Sequence, residues 1–215
     1  GFIMSNILEL IIINGKILLV TISFFVLAIG LKLIDEAYDG LTFNKRVANL
    51  IAPFIVLLAI LIMTLDRVAT VILIAYLISI TIQKKVDLTI YKISLLIFII
   101  LFLGLSLYNN LVSYLPILIV YILLTFLDEQ GNKIADHYFL YKDTKISPYF
   151  ALFMKFRFFI LTGTILLSLL GQLSYLYIAP VLAWVIGYNG VIILSENRKK
   201  SKSKQLTIVR TMARS

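Results

Sequence analysis

Long apolar runs recur along this chain, each closed by a charged or turn-forming residue, and they constrain its fold more than any motif does. A hydrocarbon core about 30 Å thick takes roughly 17–25 apolar residues per helix, fewer where helices tuck inside a bundle. Seven runs qualify, at about 7–34, 47–65, 68–83, 92–108, 112–127, 149–170 and 173–195. Composition agrees: 61% of the 215 residues are hydrophobic and 14% are charged. A soluble domain has roughly 45–50% and about 25%. There is too little polar surface to cover a water-soluble globule, and too little charge for a disordered chain. The predicted fold is all-α, a polytopic transmembrane helical bundle of about seven spans over residues 1–196. A basic cytosolic tail without fixed structure is expected at 197–215. The breaks at Asp66–Arg67 and Gly171–Gln172 are short enough to make antiparallel hairpins of the helices that they join. The first run is too long for a cleavable signal and has no basic leader, and Lys32 and Asp35 follow it in place of small residues.

Charge gives the sidedness. The net charge is +9, from 20 Lys and Arg against 11 Asp and Glu. With seven spans, one set of loops holds Lys32, Lys45, Arg46, Lys84, Lys85, Lys92, Lys133, Lys142, Lys145, Lys155 and Arg157. The tail adds Arg198, Lys199, Lys200, Lys202, Lys204, Arg210 and Arg214, whereas the other face has only Arg67. The positive-inside rule then puts the N-terminus outside and the tail in the cytosol, with a prokaryotic-type cell membrane as the expected location. The tail is expected to touch anionic membrane lipids. No aromatic residues interleave its charges, so no nucleic-acid partner is expected. The chain has no cysteine and one histidine, which removes disulfides, thiol nucleophiles and His-cluster metal sites. There is no P-loop, nucleophile elbow or His-Glu-x-x-His text either.

Acids are scarce, and seven of the eleven fall in two clusters: Asp35, Glu36 and Asp39, then Asp128, Glu129, Asp136 and Asp143. Each cluster closes a run on the cytosolic side, and they open alike, with Leu33-Ile34-Asp35-Glu36 and Phe126-Leu127-Asp128-Glu129. Asp35 and Asp39 are four apart, and Asp128, Asn132 and Asp136 continue at four-residue steps. On a continuing helix such residues share one face, where like charges repel. A divalent metal, local Lys and Arg, or hydration would offset them. Mg²⁺ binds through one or two carboxylates and completes its shell with water and phosphate, so two such ladders suit a diphosphate. The candidate metal ligands are Asp35, Asp39, Asp128 and Asp136, with Asn132 assisting. Lys45, Arg46, Lys155 and Arg157 are the candidate phosphate clamps. The plainer reading is solvated acids paired with neighbouring bases.

These motifs resemble the UbiA superfamily of intramembrane prenyltransferases, whose two aspartate-rich motifs, N/D-x-x-x-D-x-x-x-D and D-x-x-x-D, follow helices four apart. Asp35 and Asp39 match part of the first, and Asn44-Lys45-Arg46 resembles its basic continuation. Asp128, Asn132 and Asp136 match the second. The resemblance implies a helical bundle around a lipid-facing cavity, with an isoprenyl diphosphate held through Mg²⁺ at its cytosolic mouth. It also suits a parallel repeat of spans 1–3 and 5–7. Leu31 stands where the first motif opens with Asn or Asp, seven spans replace nine, and Lys142-Asp143-Thr144-Lys145 replaces the Gly-Asp-x-x-x-Gly text that often follows the second motif.

Two other functions suit the same residues. A cation or small-solute transporter would use the acids as a cytosolic mouth, with Lys16 in its pathway; a non-catalytic membrane scaffold would use them only as surface charge. Lys16 lies within the first run, where snorkelling to water is the simpler expectation. Lys155 and Arg157 could equally pair with Asp128 or Asp136. His137 is expected to be a solvated loop residue, and Asn189, between Gly187 and Gly190, to serve helix packing.

Overall fold

The computed structural model describes residues 2–38, 42–82, 111–141 and 146–212. These are helical apart from short connections, with no strand among them. The helices are α1 (Phe2–Tyr38), α2 (Lys45–Leu65), α3 (Arg67–Ile82), α4 (Leu115–Tyr141), α5 (Pro148–Lys155), α6 (Phe158–Leu169) and α7 (Ile178–Met212). Turns of 3₁₀ helix at Leu111–Tyr114 and Tyr175–Tyr177 lead into α4 and α7. The fourth expected run, 92–108, lies outside the described residues, as do Asp39, Lys84, Lys85, Lys92, Lys142, Asp143 and Lys145.

Three stretches are long and apolar enough to cross a membrane: Ile12–Tyr38, Lys45–Leu65 and Tyr175–Ser201. A fourth is added if α5 and α6 are one bent span. α1 packs against α2 and α7, α3 against α2 and α4, and α4 against α5 and α6. α3 is buried almost all round from Val68 to Ala75, as befits a helix with no polar face. Its neighbour α2 shows the opposite surface. Leu50, Phe54, Leu57 and Leu61 form an exposed apolar stripe at helical spacing, which in a membrane protein faces lipid. At the centre, Phe24 of α1 and Tyr76 of α3 both set ring edges against Trp184 of α7.

Local chemistry fixes the breaks. Asn44 caps α2 by accepting the Arg46 N–H at 2.9 Å. Asp66 ends α2 in extended backbone and starts α3 by accepting the Ala69 N–H at 2.9 Å. Gly171, at φ 69°, closes α6. Its own N–H reaches the Ser168 carbonyl and that of Gln172 reaches Leu167, which is how a left-handed glycine satisfies the last carbonyls of a helix. Gly187 lets α1 and α7 approach closely, because a Cβ there would lie 2.8 Å from the Phe25 carbonyl oxygen.

Two expectations are corrected. The sixth run, 149–170, is not one helix: α5 and α6 meet at an 85° bend. Arg157 lies at the bend with left-handed backbone, φ 58° and ψ 45°. The tail does not lose its structure at 197, since α7 runs on to Met212. Residues 191–212 contain neither Gly nor Pro and several Lys, Arg and Gln, which favour helix.

Candidate functional site

The bend between α5 and α6 organises the densest polar region of the described residues. A helix leaves its first N–H groups unpaired, and α6 has no capping side chain of its own. Asp128 of α4 supplies one from outside. Its Oδ1 accepts the Phe159 N–H at 2.8 Å and its Oδ2 the Ile160 N–H at 3.1 Å. The carboxylate is buried and its charge sits at the positive end of the helix dipole. Beside it, Glu129 pairs with Arg157, Nη2 to Oε2 at 2.7 Å, and both side chains are buried. The guanidinium also lies over the Tyr188 ring of α7, 4.2 Å from its centroid. Asn189 anchors the end of α5 by donating from Nδ2 to the Phe156 carbonyl at 2.8 Å. Left-handed backbone is costly for a residue with a side chain, about 1–2 kcal/mol. Here the ion pair, the ring contact and the two caps hold Arg157 in it.

The end of α1 forms the other half. Lys32 bonds Asp35 at 2.5 Å and Glu36 at 3.0 Å. Glu36 also accepts from Ser195 at 2.5 Å and pairs with Lys199 at 3.4 Å, both on α7. Thr42 is bonded to both Glu36 and Ser195. A buried network therefore ties the first acidic cluster to the last helix.

The two halves meet at Tyr188. Lys32 lies 5.4 Å and Arg157 4.2 Å from the centroid of its ring. A cleft lined by Tyr76, Asp128, Glu129, Arg157, Tyr188 and Asn189 opens there, with about 20 Å³ of free volume. That is enough for a water molecule. Two buried atoms in its wall, Arg157 Nε and Asn189 Oδ1, have no hydrogen-bond partner in the protein.

The other sequence candidates are spread around this region. Lys155 pairs with Glu196 at 2.8 Å and lies over Phe139. Lys45 lies over the Tyr38 ring, and Arg46 is at the exposed start of α2. Asn132 and Asp136 continue along α4 on the steps set by Asp128, but burial falls along the series: Asn132 is half-buried and Asp136 is exposed. His137 is exposed too. Asp39 lies outside the described residues. Among the described residues no three of His, Asp and Glu gather where one metal ion could join them. Asp128 spends both oxygens on backbone, and Glu129 is held by Arg157. Asp35, with a side chain 37% exposed, and Asp136 keep the most acceptor capacity toward solvent. Sequence reasoning missed Tyr188 and Ser195, which carry no charge to mark them in an apolar run. It placed Glu129 in a cluster without seeing its partner.

No protein-family model, curated protein sequence or solved structure matches this chain.

Proposed function

We propose that the chain is a multi-pass membrane protein with seven spans, an external N-terminus and a cytosolic C-terminus. We further propose that its cytosolic end binds the diphosphate of a prenyl or related lipid donor and transfers the lipid group. One observation carries this reading: Lys32, beside the first acidic cluster, and Arg157, paired with the second, converge on the ring of Tyr188. Two cations at one point suit an anion with several oxygens. Mg²⁺ would enter with the donor, and Asp35, Asp39 and Asp136 are the carboxylates assigned to it. It would neutralise charge on the leaving diphosphate. Asp128 acts by position, since it holds the first turn of α6 and through it Arg157. Lys45, Arg46 and Lys155 are the further phosphate contacts assigned under this reading.

The test is thermal stability of the purified protein in detergent with Mg²⁺ and farnesyl diphosphate. A rise in melting temperature that Asp35→Asn and Asp136→Asn remove supports the reading. No shift in the wild type refutes it. A second reading, a solute transporter, is favoured by the α5–α6 break, because broken helices with a polar residue at the break commonly form transport sites. Flux of a small anion into proteoliposomes, lost in Arg157→Gln, would support that reading.

A further inference from the structure

We propose a second binding site, where the α2–α3 hairpin meets Lys16 of α1, that holds the phosphate of a membrane phospholipid. Lys16 and Asp35 are 19 residues apart on one helix, hence about 28 Å at 1.5 Å per residue. That is close to the thickness of a hydrocarbon core, about 30 Å. The stretch of α1 from Lys16 to Asp35 is therefore long enough to join the two membrane interfaces. At Lys16 the structure has a cavity of about 280 Å³, walled by Lys16, Thr64, Asp66, Arg67, Tyr114 and Tyr177.

The hydrogen-bonding inventory of this wall selects the ligand. Asp66 is buried and both oxygens of its carboxylate are engaged. It accepts from Ala69 N–H at 2.9 Å, from the Tyr177 hydroxyl at 3.0 and 2.9 Å on its two oxygens, and from Lys16 at 2.8 Å. The single Tyr177 proton is shared between the two oxygens, and Lys16 already supplies the carboxylate with its counter-cation. Lys16 gives Asp66 one of its three N–H donors and is 42% exposed. Arg67 is exposed and makes no ion pair among the described residues. Its fork of donors suits two oxygens of one phosphate. The wall thus offers donors and a net positive charge, which fits an acceptor-only anion. Around it the surface is that of a membrane interface, with exposed Leu18, Leu19, Leu65, Leu115 and Tyr175 for acyl chains and the glycerol region. A lipid phosphate therefore suits the site better than free phosphate.

The experiment is native mass spectrometry of the full chain in non-ionic detergent. The probes are dioleoylphosphatidylglycerol, dioleoylglycerol with the same tails and no phosphate, and inorganic phosphate. The expected result is retention of one phosphatidylglycerol, no retention of dioleoylglycerol, and roughly tenfold weaker retention in Arg67→Gln. Arg67 is exposed, so this variant tests the site without disturbing the core. Lys16→Gln should weaken retention as well, and it is read only if its melting curve shows a folded protein. Equal retention of dioleoylglycerol, or an Arg67→Gln adduct as abundant as wild type, overturns the proposal. Binding of inorganic phosphate that depends on Arg67, with no lipid retained, overturns the lipid assignment.

Discussion

Asp128→Ala separates a carboxylate that builds the fold from one proposed to hold a metal. In the structure Asp128 is buried at 4% exposure and accepts two backbone N–H groups at the start of α6. Removing a capping side chain costs about 0.5–2 kcal/mol. Leaving a buried N–H unsatisfied costs about 1–3 kcal/mol, and two are left here. The terms overlap, so about 3 kcal/mol is a fair expectation. For a chain of this length each kcal/mol moves the melting temperature by about 2–4 °C, so the drop should be about 6–12 °C. Asp128→Asn keeps one acceptor oxygen and should lose about half of that. Asp136→Ala, exposed on the same helix, should stay within about 0.5 kcal/mol of wild type. The assay is intrinsic fluorescence against temperature in detergent with EDTA present. If Asp128→Ala melts with the wild type in EDTA, the capping argument is wrong.

Three further outcomes follow from the packing and the topology. Arg157→Ala takes the 2.7 Å ion-pair partner from the buried Glu129 carboxylate, so it should cost about 3–5 kcal/mol, while Glu129→Gln combined with Arg157→Gln should cost clearly less than the two single changes together; thermal melts of these variants and the wild type check both. Gly187→Ala pushes a Cβ against the Phe25 carbonyl and should cost about 1–3 kcal/mol, whereas Gly190→Ala meets open space and should be neutral or stabilising by up to about 1 kcal/mol. The chain has no cysteine, so Gln172→Cys and Ser201→Cys report sidedness cleanly; a membrane-impermeant maleimide should label Cys at 172 on intact cells and Cys at 201 only after permeabilisation, and the reverse pattern would invert the topology.

The helices themselves were readable because apolar runs and their punctuation act locally. Asp66 and Gly171 end helices by backbone chemistry that is visible in a few residues, and both breaks lie where the sequence puts them. The α5–α6 bend was not readable in that way. Gly163, six residues past the bend, is the one Gly or Pro within residues 149–170. The bend is imposed by Glu129 and Asp128, which are distant in sequence. Its trace in the text was a pair of cations, Lys155 and Arg157, inside an otherwise apolar run. The four-residue ladder from Asp128 to Asp136 was legible as spacing but not as environment. A helix that crosses from a packed interior to an exposed end gives successive members of one ladder different surroundings, so Asp128 caps α6 while Asp136 faces solvent.

The pairing of charges also decides what a ligand at the acidic cleft must bring. On the two sides of Tyr188, Lys32 serves Asp35 and Glu36, and Arg157 serves Glu129. A metal ion arriving alone would compete with Lys32 for the Asp35 carboxylate and leave that ammonium with Glu36 alone, which is costly for a largely buried charge. A diphosphate arriving alone would have to draw Lys32 and Arg157 away from their acids and leave carboxylates unpaired, which is costly for the same reason. A metal and a diphosphate arriving together remove both objections, since the carboxylates gain a cation as the cations gain an anion. On this argument the internal ion pairs are compatible with a diphosphate site, and they require that its two components bind with strong positive coupling.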